Sequence, residues 1–278
     1  MVLVWRAEAG DPEAYEHFLA GRAAYKEYSR AGNARARRSY EQALRRSPRF
    51  ISAAAGLART HIEDATFGWS PDKGASLAEA RRLLDGAFAL VPEHALARAE
   101  LAHALMVEQR FEEGCREALR AVEADPNLAD AAHVLATLLV ALGRHEEALV
   151  SLRQCLKLNP GAPEFHDISR SEALIGLGRF AEALPVLEGV NSRRPEWLMA
   201  HAMRVIAHQA LGQHEAAQAA VRRIGAVNPR FTVQRWHRNL FYPNRPDLAG
   251  FRALQAGAGL PEGQGAAPPV ASSAFSPT

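Results

Sequence analysis

Small and large apolar residues recur along this chain with a spacing of about 34 residues. The segment ALGRHEEALVSLRQCLKLNP, residues 141–160, places Gly143, Ala148, Leu152, Cys155 and Pro160 in one such period. Prolines recur in step with Pro160, at successive separations of 44, 34, 34, 35 and 34 residues: Pro48, Pro92, Pro126, Pro160, Pro195 and Pro229. The pattern predicts six repeated units, each long enough for two helices.

The apolar residues in each unit alternate in size at fixed positions. When each proline is counted as position 32, position 20 is always small: Ala36, Ala80, Gly114, Ala148, Ala183 and Ala217. Position 24 holds a larger side chain in five of the six units, and position 27 does so in the last three. A small residue lets two helices approach, and the larger residues fill the space beside it. Glycines at 143, 178 and 212 predict a turn before the second helix of their units.

This pattern resembles the tetratricopeptide repeat (TPR), a 34-residue helix–turn–helix unit, over residues 17–231. The resemblance implies an all-α, right-handed solenoid of six helix–turn–helix repeats with a C-terminal capping helix, in which stacked neighbours share a core. The chain is also similar to the TPR regions that follow bacterial adenylate cyclase or winged-helix regulator domains. That similarity implies a signalling setting, and it transfers no catalytic residue.

The repeat positions predict where each unit begins and ends. An N-terminal segment, 1–16, precedes six units: 17–50, 51–94, 95–128, 129–162, 163–197 and 198–231. The second unit carries an insertion near 67–76, around the Phe67–Gly74 stretch, and Ser76 with Glu79 is predicted to be a capping box that opens its second helix.

The residues after the sixth unit are predicted to form a cap and a tail. A cap at 232–257 is expected to contain a helix up to about Phe241 and a short helix ending near Gly257, and to cover the last unit with Trp236, Leu240 and Phe251. The segment 258–278 is rich in Gly, Ala, Pro and Ser, which predicts disorder.

Composition favours a globular protein of the cytoplasm. The 278 residues are 48% hydrophobic, and the two cysteines suggest neither a disulfide framework nor a zinc site. The first apolar run is too short for a secretory signal, and no stretch is long enough to cross a membrane. We therefore expect a soluble protein with no membrane partner, while its oligomeric state stays open.

The net charge of +2 is unevenly distributed. Residues 22–49 carry nine Arg and Lys against two acids, residues 92–131 carry four against nine, and residues 222–252 carry seven against one. Basic ends suit nucleic acid, an anionic partner or the acidic middle of another copy, whereas solvated helix faces are the simpler interpretation. Nucleic acid is an unlikely partner because aromatic residues are not interleaved with the arginines.

The sequence contains no recognisable catalytic or cofactor motif. HEEAL at 145–149 and HEAAQ at 214–218 begin like a zinc-protease helix but lack its second histidine. We therefore expect no catalytic residues, no metal and no cofactor, although distant repeats can assemble a catalytic site without a motif. His103 and His133 are interpreted as polar groove residues, with a metal or acidic-ligand site as the alternative, and Cys115 and Cys155 as helix-packing residues.

The resemblance implies that positions 2, 5, 9, 12 and 13 of each first helix line a concave groove. The predicted groove residues are Phe18, Tyr25, Tyr28, Arg59, Ile62, Glu63, Leu96, His103, Met106, Val107, His133, Thr137, Val140, Phe165, Ile168, Glu172, Ile175, Met199, Ile206 and Gln209. This mostly apolar set predicts a non-catalytic scaffold or adaptor that binds a protein or peptide. The Lys–Asn pair of carboxylate-binding relatives is absent, since Gly21 and Tyr25 stand there. The alternatives are packing between helices, and a small-molecule sensor subunit of a cyclase-like signalling system.

Overall fold

The structure is a computed structural model that describes residues 2–159, 164–238 and 248–263. Within those ranges the chain contains helices and no strand, in this order: α1 (Val2–Ala9), α2 (Pro12–Tyr25), α3 (Arg30–Arg46), α4 (Ile51–Phe67), α5 (Lys73–Leu90), α6 (Ala95–Val107), α7 (Phe111–Ala124), α8 (Ala129–Ala141), α9 (His145–Leu158), α10 (Glu164–Gly176), α11 (Phe180–Arg193), α12 (Leu198–Ala210), α13 (His214–Val227), α14 (Val233–Arg238) and α15 (Leu248–Gly257). In the described ranges, no helix has both the length and the apolar character that a membrane crossing requires.

The chain divides into two compact units, Met1–Leu135 and Ala136–Pro277, and the division falls inside α8. In the first unit, α2 packs on α3, α4 on α5 and α6 on α7, while α4 also packs on α6. In the second unit, α10 packs on α11 and α12 on α13, and α11 also contacts α12. Consecutive helices thus form antiparallel pairs that stack on their neighbours, which confirms the predicted all-α fold of helix–turn–helix repeats.

Small residues at position 20 allow the two helices of each pair to approach closely. All six of these residues are buried. In the first pair, the ring of Tyr40 fills the space left by two glycines on other helices. A Cβ added at Gly21 would lie 2.6 Å from the Tyr40 ring, and one added at Gly56 would lie 2.7 Å from it. The alternation of small and large residues therefore sets the distance between helices.

The turn between paired helices uses a left-handed residue in several units. Gly143, Gly178 and Gly212 have φ angles of 74°, 71° and 70°. Glycine adopts this conformation without a steric penalty because it has no Cβ. In the turn between α6 and α7 the equivalent residue is Gln109, which has a φ of 62°. The predicted glycine turns are present, and the turn between α6 and α7 has the same conformation with a less suitable residue.

The first helix pair begins earlier than the predicted start at residue 17. α2 starts at Pro12, and the Ala14 amide donates to Asp11 Oδ1 at 2.8 Å. Asp as N-cap followed by Pro at the first helical position is a strong start signal. Most of the predicted N-terminal segment, 1–16, is therefore helical, in α1 and the start of α2.

The insertion in the second unit lengthens two helices. α4 continues to Phe67 and α5 begins at Lys73, so only residues 68–72 form a loop. The predicted capping box at Ser76 is wrong, because Asp72 caps α5 by accepting from the Ala75 amide at 2.9 Å. The Ser76 hydroxyl instead donates to the backbone oxygen of Asp72, from inside the helix.

The C-terminal segment is ordered beyond the predicted cap. Trp236 is buried and Phe251 half-buried, whereas Leu240 and residues 264–278 lie outside the described residues. The prediction of disorder from residue 258 is wrong for 258–263, because Leu260 is buried and the Val233 amide donates to Pro261 O at 2.9 Å. A composition rich in Gly and Pro did not prevent this segment from packing, since the packing depends on a partner distant in sequence.

Candidate functional site

Polar side chains from four helices meet in the first unit. Each helix contributes two residues three or four positions apart, which therefore lie on one helix face. We call this set the polar cluster, and its members are Arg22 and Tyr25 on α2, Arg59 and Glu63 on α4, Glu100 and His103 on α6, and Asp130 and His133 on α8. All four are first helices of their pairs, so the repeat architecture brings these residues together although they span more than one hundred positions of sequence.

Arg59 lies at the centre of the polar cluster. Its Nε and Nη2 lie 2.7 Å and 2.6 Å from Glu100 Oε1, and its Nη1 lies 3.5 Å from Asp130 Oδ1. Glu100 is only 1% exposed and the Arg59 side chain 13%. The second oxygen of Glu100 has no hydrogen-bond partner, and His103 Nδ1 lies 3.9 Å from it. Arg59 thus connects α4 to α6 through Glu100 and to α8 through Asp130.

One tyrosine of the polar cluster, Tyr25, packs against a second tyrosine beside the cluster, Tyr28. The Tyr25 hydroxyl donates to Glu63 Oε1 at 2.6 Å, and the Arg59 guanidinium lies 5.0 Å above the Tyr25 ring. The neighbouring Tyr28 ring lies 5.3 Å from the ring of Tyr25. Burial raises the pKa of both hydroxyls above the ordinary value, so both are protonated donors at neutral pH.

A second arginine reaches the cluster from α2. Arg22 Nη2 donates to Asp130 Oδ2 at 3.1 Å. Burial raises the pKa of Asp130, but the charges of Arg22 and Arg59 outweigh that effect and hold the pKa well below its usual range. His133 also lowers the pKa of Asp130. Asp130 is therefore ionised at any physiological pH.

The predicted groove of the first unit is more polar than the sequence indicated. The apolar predicted residues are buried in the helix packing: Phe18, Ile62, Leu96, Met106 and Val107. The polar and aromatic predicted residues lie in or beside the cluster: Tyr25, Tyr28, Arg59, Glu63, His103 and His133. Burial between helices removes these apolar side chains from water.

Sequence reasoning missed three members of the polar cluster: Arg22, Glu100 and Asp130. Each lies three residues before a predicted groove residue on the same helix, so helical spacing alone was a usable signal. Which residues pair across different helices could not be seen in the sequence, since Arg59 and Glu100, for example, are 41 positions apart.

The predicted groove residues of the second unit divide in the same way. Val140, Ile168, Ile175 and Ile206 are buried. The partly exposed residues are Thr137, Phe165, Glu172, Met199 and Gln209. The rings of Phe165 and Trp197 meet edge to face at 4.8 Å. The partly exposed set therefore combines aromatic, thioether and polar groups.

One cysteine has a histidine neighbour that the sequence did not indicate. Cys155 Sγ lies 3.8 Å from both ring nitrogens of His166, and both residues are buried. Burial separates this pair from solvent, and a reactive thiolate needs access as well as a partner. Across the described parts of the chain, no group of three or more His, Cys, Asp or Glu residues is arranged to hold a metal ion.

Comparison with known proteins bears on the fold. Residues 129–161 match the family model for the tetratricopeptide repeat. The TPR repeat-containing thioredoxin TTL4 of Arabidopsis thaliana is 38% identical over 97 residues, which are 35% of this chain and 14% of that protein. The chain thus spans a small part of the length of this curated relative.

Two solved structures have a similar arrangement of helices. A pilF structure from Pseudomonas aeruginosa gives a TM-score of 0.56 at 14% identity, covering 79% of this chain and 93% of that one. TTC0263, a thermophilic TPR protein of Thermus thermophilus, gives a TM-score of 0.52 at 20% identity, covering 71% and 98%. The chain therefore has the fold of the tetratricopeptide-repeat proteins.

Proposed function

We propose that this chain is a non-catalytic scaffold that binds a protein or peptide on the polar cluster of the first unit. The observation that carries the proposal is that four successive first helices each contribute a pair of charged, aromatic or histidine side chains to one cluster, which is partly exposed at Arg22 and Asp130. A surface built by several repeats suits an extended ligand, because each repeat contacts a successive part of it.

The energetics of the cluster support a role other than stability. A buried ion pair such as Arg59–Glu100 contributes little net stability, because desolvation of both charges offsets their attraction. Arginine and tyrosine are also the side chains that dominate recognition of polypeptides. We expect the partner to make contact at the partly exposed edge of the cluster, formed by Arg22 and Asp130, and at the neighbouring Tyr28.

Other aspects of the function stay predictions from the sequence. These are the bacterial signalling setting, the cytoplasmic location and the alternative of a small-molecule sensor. The predicted absence of nucleic-acid and membrane partners also stays a prediction.

Site-specific photo-cross-linking tests the proposal. A benzophenone amino acid is placed at Tyr28, beside the cluster, or at Leu119, an exposed residue on α7. After irradiation in the native cell, mass spectrometry identifies the cross-linked peptides. We expect Tyr28 to capture a defined polypeptide segment that Leu119 does not capture.

A charge variant connects the capture to the cluster. Arg22→Met removes the donor to Asp130 and is expected to abolish the Tyr28 cross-links, whereas Arg82→Met, at an exposed ion pair on α5, leaves them unchanged. Cross-links that survive Arg22→Met in a folded chain contradict the proposal. Loss of capture only on Arg38→Glu and Arg45→Glu, exposed positions of α3, would assign binding to that basic helix instead.

A further inference from the structure

The first anchor of the N-terminal helix α1 is an aromatic side chain, Trp5. The rings of Trp5 and Phe18 meet edge to face with centroids 5.2 Å apart, and the Arg22 guanidinium lies 4.6 Å above the Trp5 ring. Trp5 is buried although it belongs to a helix of only eight residues. Arg22 also binds Asp130 of the polar cluster, so α1 lies at the edge of that surface.

The second anchor of α1 is a carboxylate. Glu8 accepts hydrogen bonds from the Ser52 amide at 2.8 Å and the Ser52 hydroxyl at 2.6 Å, and His94 Nε2 lies 3.5 Å from Glu8 Oε1. α4 has no capping side chain of its own, because Phe50 occupies its N-cap position. Glu8 therefore caps α4 from another helix, where a negative charge is favoured by the helix dipole.

The two anchors lie on one face of α1. Trp5 and Glu8 are three residues apart, Ala9 is also buried, and Val4 is 66% exposed. A helix of eight residues is not stable in isolation, so docking has to hold it. A single residue with a left-handed φ of 63°, Gly10, separates α1 from the cap of α2.

We propose that α1 is an exchangeable occupant of a helix-docking face formed by Phe18, Arg22, Ser52 and His94. This face accepts, from a partner polypeptide, an amphipathic helix that carries a tryptophan and, three residues later, a carboxylate. The proposal rests on the proposed function, because it takes the partner to be a polypeptide. The α1 helix of the chain and the partner's helix then compete for the same docking face. Anchors one turn apart on a helix are the usual determinants of helix-in-groove recognition.

The test uses the full chain and a fluorescent peptide with the sequence of residues 1–10, MVLVWRAEAG. The Trp5→Ala/Glu8→Ala variant of the full chain lacks both anchors, so its docking face is open. We expect this variant to bind the peptide more than about tenfold tighter than the unchanged chain does, because the intact α1 competes. A peptide with Trp5→Ala is expected not to bind, and a peptide with Val4→Ala to bind normally.

Each outcome decides the proposal. A folded double variant that does not bind the peptide overturns it. If the double variant does not fold, the Glu8→Gln chain takes its place. The proposal is then overturned if the Glu8→Gln chain and the unchanged chain bind the peptide equally weakly. In the unchanged chain, hydrogen exchange of α1 amides is expected to be much faster than that of α2, whereas exchange of both only through global unfolding contradicts an exchangeable helix.

The proposed function fails in a different way. Absence of peptide binding together with cross-links at Tyr28 overturns only the inference about α1. Peptide binding without cross-links at Tyr28 overturns only the assignment of the polar cluster.

Discussion

The guanidinium of Arg59 contacts one oxygen of Glu100 through two of its nitrogens, and Nε donates a hydrogen bond to it. The Nε and Nη2 atoms lie 2.7 Å and 2.6 Å from Oε1, while Oε2 has no hydrogen-bond partner. The carboxylate is buried on α6 and the arginine extends from α4. The pair therefore couples two neighbouring repeats through charge. Variants of this pair can distinguish a contribution to stability from a contribution to partner binding.

Removing one partner of this pair is expected to cost more than removing both. Arg59→Met leaves the buried Glu100 carboxylate without its cation, and we expect a loss of about 3 kcal/mol in the free energy of unfolding. Arg59→Met/Glu100→Met removes both charges and should recover most of that loss. Urea unfolding followed by circular dichroism measures the difference.

The exposed pair of Arg82 and Glu79 serves as the control, and Arg82→Met should leave the urea midpoint unchanged. A double variant as unstable as Arg59→Met would show that this pair has a net stabilising role. If the double variant is stable yet fails to capture the partner, the cluster is retained for recognition.

The close approach of Gly56 to the Tyr40 ring predicts a steric cost. A Cβ at Gly56 would lie 2.7 Å from ring atoms that are buried between helices, so Gly56→Ala should lower the unfolding free energy by about 1–3 kcal/mol. Gly86 is also helical, but nothing lies within 4 Å of an added Cβ. Gly86→Ala should therefore raise stability by about 0.5–1 kcal/mol. Thermal unfolding of both variants checks the opposite signs.

The turn at Gln109 is predicted to be suboptimal. Its φ of 62° places a side chain in the left-handed region, where Gly143 stands in the next unit. We expect Gln109→Gly to raise the unfolding free energy by about 0.5–1 kcal/mol, because relief of the left-handed strain exceeds the entropy that glycine adds to the unfolded chain. The reverse change, Gly143→Gln, should be destabilising. Two changes of the same sign in chemical denaturation would contradict this explanation.

The packing of residues 258–263 predicts a stability contribution from Leu260. Its side chain is 4% exposed, so Leu260→Ala should cost about 2–4 kcal/mol if the second unit unfolds cooperatively. Leu211, at 39% exposed, is the matched control and should change the unfolding free energy little on mutation to Ala. Equal, small effects at both positions would mean that this segment does not pack in solution.

Glu8 predicts an acid-sensitive contribution to stability. Burial raises the pKa of Glu8, but hydrogen bonds from His94 and Ser52, together with the charge of His94, outweigh that effect and hold the pKa below its ordinary value of 4.5. A carboxyl with a lowered pKa in the folded state stabilises the protein above its unfolded-state pKa. That stabilisation is lost as pH falls through the lower, folded-state value.

The difference in unfolding free energy between the unchanged chain and Glu8→Gln is therefore expected to be largest from about pH 6 upward and to shrink toward pH 3. Urea titrations across this range measure it. A difference that does not vary with pH would show that Glu8 contributes through packing alone.

The sequence by itself determined the repeat and its local geometry. The recurrence of small residues such as Ala148, and glycines such as Gly178, follows from helix packing and from turn conformation, which act over a few residues. These constraints are the same in every unit, so they are visible as a period. The fold class was therefore predictable without coordinates.

Only the tertiary structure decided which polar side chains meet and which segments dock. The Arg59–Glu100 pair, the Glu8 cap on Ser52 and the packing of Leu260 join residues that are far apart in sequence and that have no periodic counterpart. Of the apolar residues predicted for the groove, Ile62 and Met106 are buried in the helix packing, whereas Phe165 and Met199 are partly exposed. Which side chains are buried depends on how the helices stack, so the sequence of one repeat does not determine which of its residues the neighbouring repeats will cover.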